Sequence, residues 1–446
     1  MANITTPLLG LVDTAILGRM ESVAILAGAA IASLIITQIY WICGFLKMSL
    51  TGLSAQALPQ QVTESLKVLV QGFFLGLIIS SIILFVQFYI LDIGLALAKA
   101  DVDVAFNARI YFEIRIWGAP AALCNMAIIG WLIGQQKTKL VLYLQLLINL
   151  TNIIGSLVFV YVFDWGVQGV AAATLLAEYT MLAVAVVLIV KLLNNRFQRE
   201  YVEAGQSSML PAERVSGQSK LIKQWLSFSQ LKSLLTLNSH IFFRNLALQF
   251  TLAFITLAGA RYGATAVAIN TIILQFFALI ALGLDGVANA VEALVGEAKG
   301  LKNKVLLNKQ VLLGLVWSNI FALIYALMFY YLDSPIVNLL TTHADVIEAI
   351  KDYKWIIVLL PLIAHWCFLF DGVFVGLGLG KPMRDTMILS TVFGFLLPWW
   401  ISKEVGLAPE NMALWVAMLV FVFFRGGLLG GYYWHCYKSN ANKLLN

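Results

Sequence analysis

The sequence predicts an all-α polytopic membrane protein of twelve transmembrane helices in two pseudo-symmetric six-helix lobes. Three observations carry that prediction. Of 446 residues, 61% are hydrophobic and only 12% are charged, against about a quarter charged in soluble domains, and mean hydropathy is +0.88. Apolar runs of spanning length recur along the whole chain. Lys and Arg then fall mainly on alternate connectors, the pattern that sets orientation in a bilayer.

The spans are read at residues 4–18, 23–47, 66–91, 109–134, 139–163, 167–193, 236–260, 265–297, 306–331, 349–378, 384–401 and 411–437. The first is 15 residues long, where about 20 are needed, so it is expected to begin upstream of the numbering. The only long polar connector holds Asn194-Asn-Arg, Gly205-Gln-Ser-Ser and Pro211. This gives an N-terminal lobe over 1–193, a linker over 194–232 and a C-terminal lobe over 233–446. Eighteen of the 29 Lys and Arg residues lie after even-numbered spans and seven on the opposite side. The bias places both termini and the linker in the cytoplasm, with the protein in the inner (cytoplasmic) membrane. The net charge of +6 is therefore a topology signal, and no nucleic-acid partner is expected. The four cysteines have no metal-ligand spacing and read as packing residues.

A weak internal repeat supports the division. Leu17-Gly-Arg-Met-Glu-Ser-Val-Ala-Ile-Leu-Ala27 aligns with Ala258-Gly-Ala-Arg-Tyr-Gly-Ala-Thr-Ala-Val-Ala268 at an offset of 241, and Ser54-Ala-Gln-Ala57 falls on Val295-Gly-Glu-Ala298 at the same offset. Six spans per half give both halves the same orientation, with a cavity near the midplane. At this offset Asp13 falls on Phe254, so the halves are chemically unequal.

Span one carries the most informative pattern. Asn3, Thr6, Gly10 and Asp13 lie at i, i+3, i+7 and i+10, on one helix face. A charge in hydrocarbon costs several kcal/mol, so Asp13 is paired, protonated or working. Pro7 removes the amide that would reach the Asn3 carbonyl, a weak point about 9 Å from the carboxyl. Pro7 and Gly10 are the candidate hinge. A kinked packing helix with a satisfied Asp is the alternative.

Span five carries Gln145, Asn149, Asn152 and Ser156 on one face, and span six carries Thr174 and Glu178 at i, i+4. These residues and Asp13 outline a polar cavity in the first lobe. Interhelical hydrogen bonding, worth about 0.6 kcal/mol per bond, is the structural alternative. In the second half, Arg244, Asn245 and Gln249 lie on span seven, Asp285, Asn289 and Glu292 on span eight, and His365 and Asp371 on span ten. That set fits a substrate cavity or a second polar network, with a structural ion-pair network favoured for the acids. His365 is off the helix face of Asp371 and reads as a satisfied histidine. Glu113 and Arg115 read as interfacial or paired. No phosphate-binding Gly-Lys-Ser/Thr loop, nucleophile elbow or His-Glu-x-x-His pair is present, so the chain is read as a non-enzyme without cofactors. Aromatics at 12% and 11 methionines would suit flat cationic ligands.

Four stretches carry a resemblance. They are Asn3-Ile-Thr-Thr-Pro-Leu-Leu-Gly-Leu-Val-Asp-Thr, Gly118-Ala-Pro-Ala with Gly130 and Gly134-Gln, Leu284-Asp-Gly-Val-Ala-Asn-Ala-Val-Glu-Ala-Leu-Val-Gly, and Asp371-Gly-Val-Phe-Val-Gly followed by Met383-Arg384. On these the chain resembles the MATE (multidrug and toxic compound extrusion) family, in its DinF branch. The resemblance implies a monomeric two-lobe antiporter that exports drugs across the bilayer in exchange for H⁺ or Na⁺. It further implies a proton or cation site at Asp13, Asn152, Ser156 and Thr174. Ser156 departs from relatives that often carry a second carboxylate there, which favours H⁺ over Na⁺. A flippase for lipids or lipid-linked precursors is the rival of another class; it would need a more basic cavity than the few embedded Lys and Arg supply.

Overall fold

The computed structural model describes residues 16, 23–203, 224–406, 409–439 and 444. Asn3, Thr6, Pro7, Gly10 and Asp13 lie outside them, and so does the expected first span apart from Ile16. Eleven helices among the described residues are long and apolar enough to cross a membrane. They correspond to spans two to twelve: Ala24–Ala57, Val62–Ala98, Val102–Gly134, Thr138–Tyr161, Gly166–Glu200, Phe228–Tyr262, Ala264–Gly300, Lys304–Leu340, Ala344–Gly376, Gly380–Val405 and Glu410–Lys438. The described residues contain no strand. The chain is an all-α polytopic membrane protein.

Most of these helices outrun the apolar stretches that announce them. Spans three, eight and nine each have 37 residues, about 55 Å of helix against a hydrocarbon core of about 30 Å. The helix of span six continues to Glu203, ten residues past its expected end at 193, and helix resumes at Phe228, before the expected 236. Both ends of the expected 194–232 linker, 194–203 and 228–232, are therefore helical, because polar residues at a membrane boundary carry on a helix that is already nucleated. Phe85, Leu97 and Leu339 are among the most exposed side chains, as suits surfaces that face lipid.

The chain divides into two compact units, Met1–Leu235 and Thr236–Asn446. In the first, Trp131, Ile128, Leu132 and Met181 join a core that spans three, four, five and six share. Span two breaks at Cys43–Gly44, between helices Val23–Ile42 and Phe45–Ala57. Span four tightens into one 3₁₀ turn at Ile116–Gly118, just before Pro120 opens its second helix; the ring cannot donate to the preceding turn.

In the second unit the core is aromatic. Phe254 meets Phe395 and Trp399 edge-on, and Phe276 meets Phe329 with ring centres 4.9 Å apart. Span eleven widens into a π-helical stretch at Ser390–Leu396. Pro398 follows it, and the wide turn accommodates the carbonyl that the proline leaves without a donor.

Both units are built on the same close approach. Gly130 and Gly134 of span four sit against the Lys47 and Thr51 carbonyls of span two. Gly372 and Gly376 of span ten sit against the Ala288 and Glu292 carbonyls of span eight. The equivalent positions differ by 241 (Lys47 and Ala288) or 242 (Gly130 and Gly372), close to the offset of the sequence repeat. Two glycines one turn apart let backbones touch, which is how membrane helices gain dispersion contact and weak Cα–H···O bonds. A Cβ at any of the four would meet backbone, not a movable side chain. Gly130→Ala and Gly372→Ala should therefore each cost about 1–3 kcal/mol in detergent unfolding. Gly427→Ala, where a Cβ meets nothing within 4 Å, should be neutral within about 0.5 kcal/mol. Equal loss in all three would contradict the assignment.

Candidate coupling site

In the first unit, spans five and six approach closely because Gly155 faces Ala173 and Gly169 faces Phe159. That contact brings two sequence-predicted residues together. The Asn152 Nδ2 amide donates to Thr174 Oγ1 at 2.8 Å, and the Thr174 hydroxyl donates to the Val170 carbonyl at 3.1 Å. A hydroxyl has one proton, so this chain of bonds has a fixed direction. It leaves Asn152 Oδ1 buried with no hydrogen-bond partner among the described residues. Ser156 and Asn149 are buried on the same helix face, and Gln145 is half-buried. The result is a neutral, oxygen-rich patch. Its remaining acceptor calls for a donor or a cation.

Glu178 is committed elsewhere. Its two oxygens take both ends of the Arg115 guanidinium, Nη1 to Oε2 at 2.9 Å and Nη2 to Oε1 at 2.7 Å, and both residues are buried. Arg115, read from the sequence as interfacial or paired, is paired and internal. The Tyr40 ring centre lies 5.8 Å from its guanidinium. Where span four ends, Gln135 donates to the Ser54 carbonyl at 2.9 Å and accepts from Arg196.

The second unit holds its acids differently. Asp371 Oδ2 accepts from both Arg244 and Arg425, which ties spans seven, ten and twelve through one buried carboxylate. Arg244 also donates to Asn245 Oδ1 at 3.0 Å. Glu292 is buried, and Gln249 is half-buried. His365 is a satisfied core histidine, its Nδ1 3.0 Å from Ser318 Oγ. Asp285 is exposed on the surface of its unit, a few residues from the middle of the span Ala264–Gly300. Its neighbour Gly286 has nothing within 4 Å of a Cβ position.

Sequence reasoning missed two partners. Arg425 was visible only as a cation inside a span, and nothing in the spacing assigned it to Asp371. A buried amide network also went unseen. Asn270 donates to Asn411 at 2.9 Å and accepts from Trp415 at 2.7 Å, while Asn411 donates to the Tyr353 hydroxyl at 3.1 Å. The signal was a lone Asn near the start of each of two spans, too weak to pair without coordinates.

The MatE family profile matches residues 1–158 and 241–400. DNA damage-inducible protein F of Escherichia coli strain K12 is 33% identical over 426 residues, 95% of this chain and 87% of that protein. Protein DETOXIFICATION 45, chloroplastic, of Arabidopsis thaliana is 24% identical over 72% of this chain, which spans about half (52%) of that protein's length. A MATE structure in the bent conformation shares the fold with a TM-score of 0.81 at 16% identity, covering 100% of this chain and 94% of that one. The Vibrio cholerae MATE transporter VcmN in the bent form also has a TM-score of 0.81, at 19% identity over 98% of this chain and 94% of that one. The profile match over most of the chain, with a relative one-third identical over almost all of it, decides the classification: this protein belongs to the MATE family of membrane transporters.

Proposed function

We propose that the protein exports organic, mainly cationic and aromatic compounds from the cytoplasm in exchange for protons, with Asp13 as the carboxyl that exchanges H⁺. The two termini lie in the cytoplasm and the working unit is the monomer. The observation that carries this reading is the charge count around Asn152. Asn152, Ser156 and Thr174 supply neutral oxygens only, and the nearby carboxylate of Glu178 is neutralised by Arg115. A Na⁺ site suits several hard oxygens and more than one negative charge. One proton on one carboxyl needs neither, and a protonated carboxyl is the hydrogen-bond donor that Asn152 Oδ1 lacks.

The cycle follows from that chemistry. With the protein open outward, burial favours the neutral form of Asp13, which takes a proton. The neutral acid exchanges water for the amide–hydroxyl patch, span one bends at Pro7, and the first-lobe cavity shrinks, so that affinity for substrate falls. Substrate leaves outward; the proton leaves inward after reorientation. Coupling requires only that proton and substrate favour different states. On the substrate side, Asp285 of the second unit is an exposed acid near mid-depth of its span, and an acid at that depth favours cationic ligands.

The test is transport by the full chain in liposomes under a pH gradient without Na⁺. The wild type should move a cationic dye, and Asp13→Asn should lose transport at least about tenfold while reaching the membrane normally. Dye movement that requires Na⁺ at fixed pH, or survives in Asp13→Asn, would refute the reading. Pro7→Ala should slow turnover without abolishing substrate binding; unchanged turnover would make the bend incidental. Asp285→Asn should raise KM for a cationic substrate about tenfold and leave a neutral one nearly unaffected. Equal effects on both would remove Asp285 from recognition.

A further inference from the structure

Four hydrogen bonds between spans four and six converge on two residues of span six, Glu178 and Tyr179. Two are the bidentate Arg115–Glu178 pair; the third runs from Asn125 Nδ2 to the Glu178 carbonyl at 2.9 Å. The fourth runs from the Tyr179 hydroxyl to the Trp117 carbonyl at 3.0 Å. Glu178 lies one helical turn, about 6 Å, from Thr174. Room for the pair is built in, since a Cβ at Gly118 would collide with both the Glu178 carboxylate and the Arg115 guanidinium.

A buried ion pair is weak evidence for stability, because apolar side chains of similar volume often serve as well. A planar guanidinium on a carboxylate fixes both distance and rotation. Span six is thus held through Glu178 by Arg115, while one turn earlier on the same face its Thr174 holds the Asn152 amide. Among the described residues that amide is anchored on Thr174. If span six rotates, the anchor is lost and Asn152 Oδ1 is no longer presented in a fixed direction.

We propose that Arg115 and Glu178 are positioning residues for proton coupling: their ion pair sets the rotation of span six, so that Thr174 holds Asn152 in the one orientation on which proton exchange depends. The inference rests on the reading of Asp13 above. Without the pair, substrate still binds and moves, but proton movement slips.

The test measures protons moved per substrate, using a pH dye and a fluorescent substrate together on the reconstituted full chain. Glu178→Gln should lower the ratio at least about twofold, with KM within about twofold of wild type. Glu178→Asp and the charge-reversed R115E/E178R double variant should restore most of it. A slower Glu178→Gln with an unchanged ratio would show a merely structural pair and overturn the proposal. Should Glu178→Gln fail to fold, Arg115→Lys keeps the charge but loses the two-point fork and should lower the ratio; an unchanged ratio there is equally fatal. Asp13→Asn in the same assay separates the two claims. If it keeps the wild-type ratio, the proton reading fails. If it abolishes proton movement while Glu178→Gln and Arg115→Lys do not alter the ratio, only the positioning inference fails.

Discussion

A charge placed in hydrocarbon without a partner costs more than most folds can spare, and that constraint organises this molecule. Arg115 and Glu178 neutralise each other, and Asp371 takes two guanidinia. The fourth helix is clamped to the sixth in both units, but with opposite polarity. In the first unit Arg115 is on the fourth helix and the acid on the sixth. In the second, Asp371 is on the fourth and Arg425 on the sixth. The clamps also sit at different points along their helices: Arg115 lies just before the middle of span four, whereas Asp371 lies near the end of span ten. Among the described residues of the first unit, Asn152 keeps a buried amide oxygen without a hydrogen-bond partner.

The paired glycines on spans four and ten explain how two units of such different chemistry keep one architecture. Backbone-to-backbone packing depends on the absence of side chains, so it persists where identity has faded. Polar side chains do not share that constraint. At the offset that aligns Gly130 with Gly372, Arg115 falls on Ile357. The two units therefore share a frame and differ in the groups that it carries.

Much of the frame was legible from composition. Spans two to twelve, the alternation of basic connectors and the repeat all follow from the 20-residue requirement and the orientation rule. Helix ends were less legible, because hydropathy marks the apolar centre and says nothing of the polar turns that continue beyond it, as at Glu203. On the site side, the helix faces of Asn152 and Thr174 were readable because i, i+4 and i, i+7 spacing stays within one helix. The pairing of Arg115 with Glu178, 63 residues apart, and of Arg425 with Asp371 was not, since periodicity carries no information about which helices touch. Asp13, Pro7 and Gly10 are placed by sequence alone, and their roles rest on the first-span motif together with the patch that Asn152 and Thr174 form.

The account stands on one carboxyl that holds a proton when substrate is absent and gives it up when substrate binds. The most direct measurement is proton release from purified protein in weak buffer on addition of a cationic substrate, with and without Na⁺. The account predicts release of about one proton per bound substrate, the same in both salts, because the two ligands favour different states. Release that appears only with Na⁺, or binding with no release at all, would contradict it.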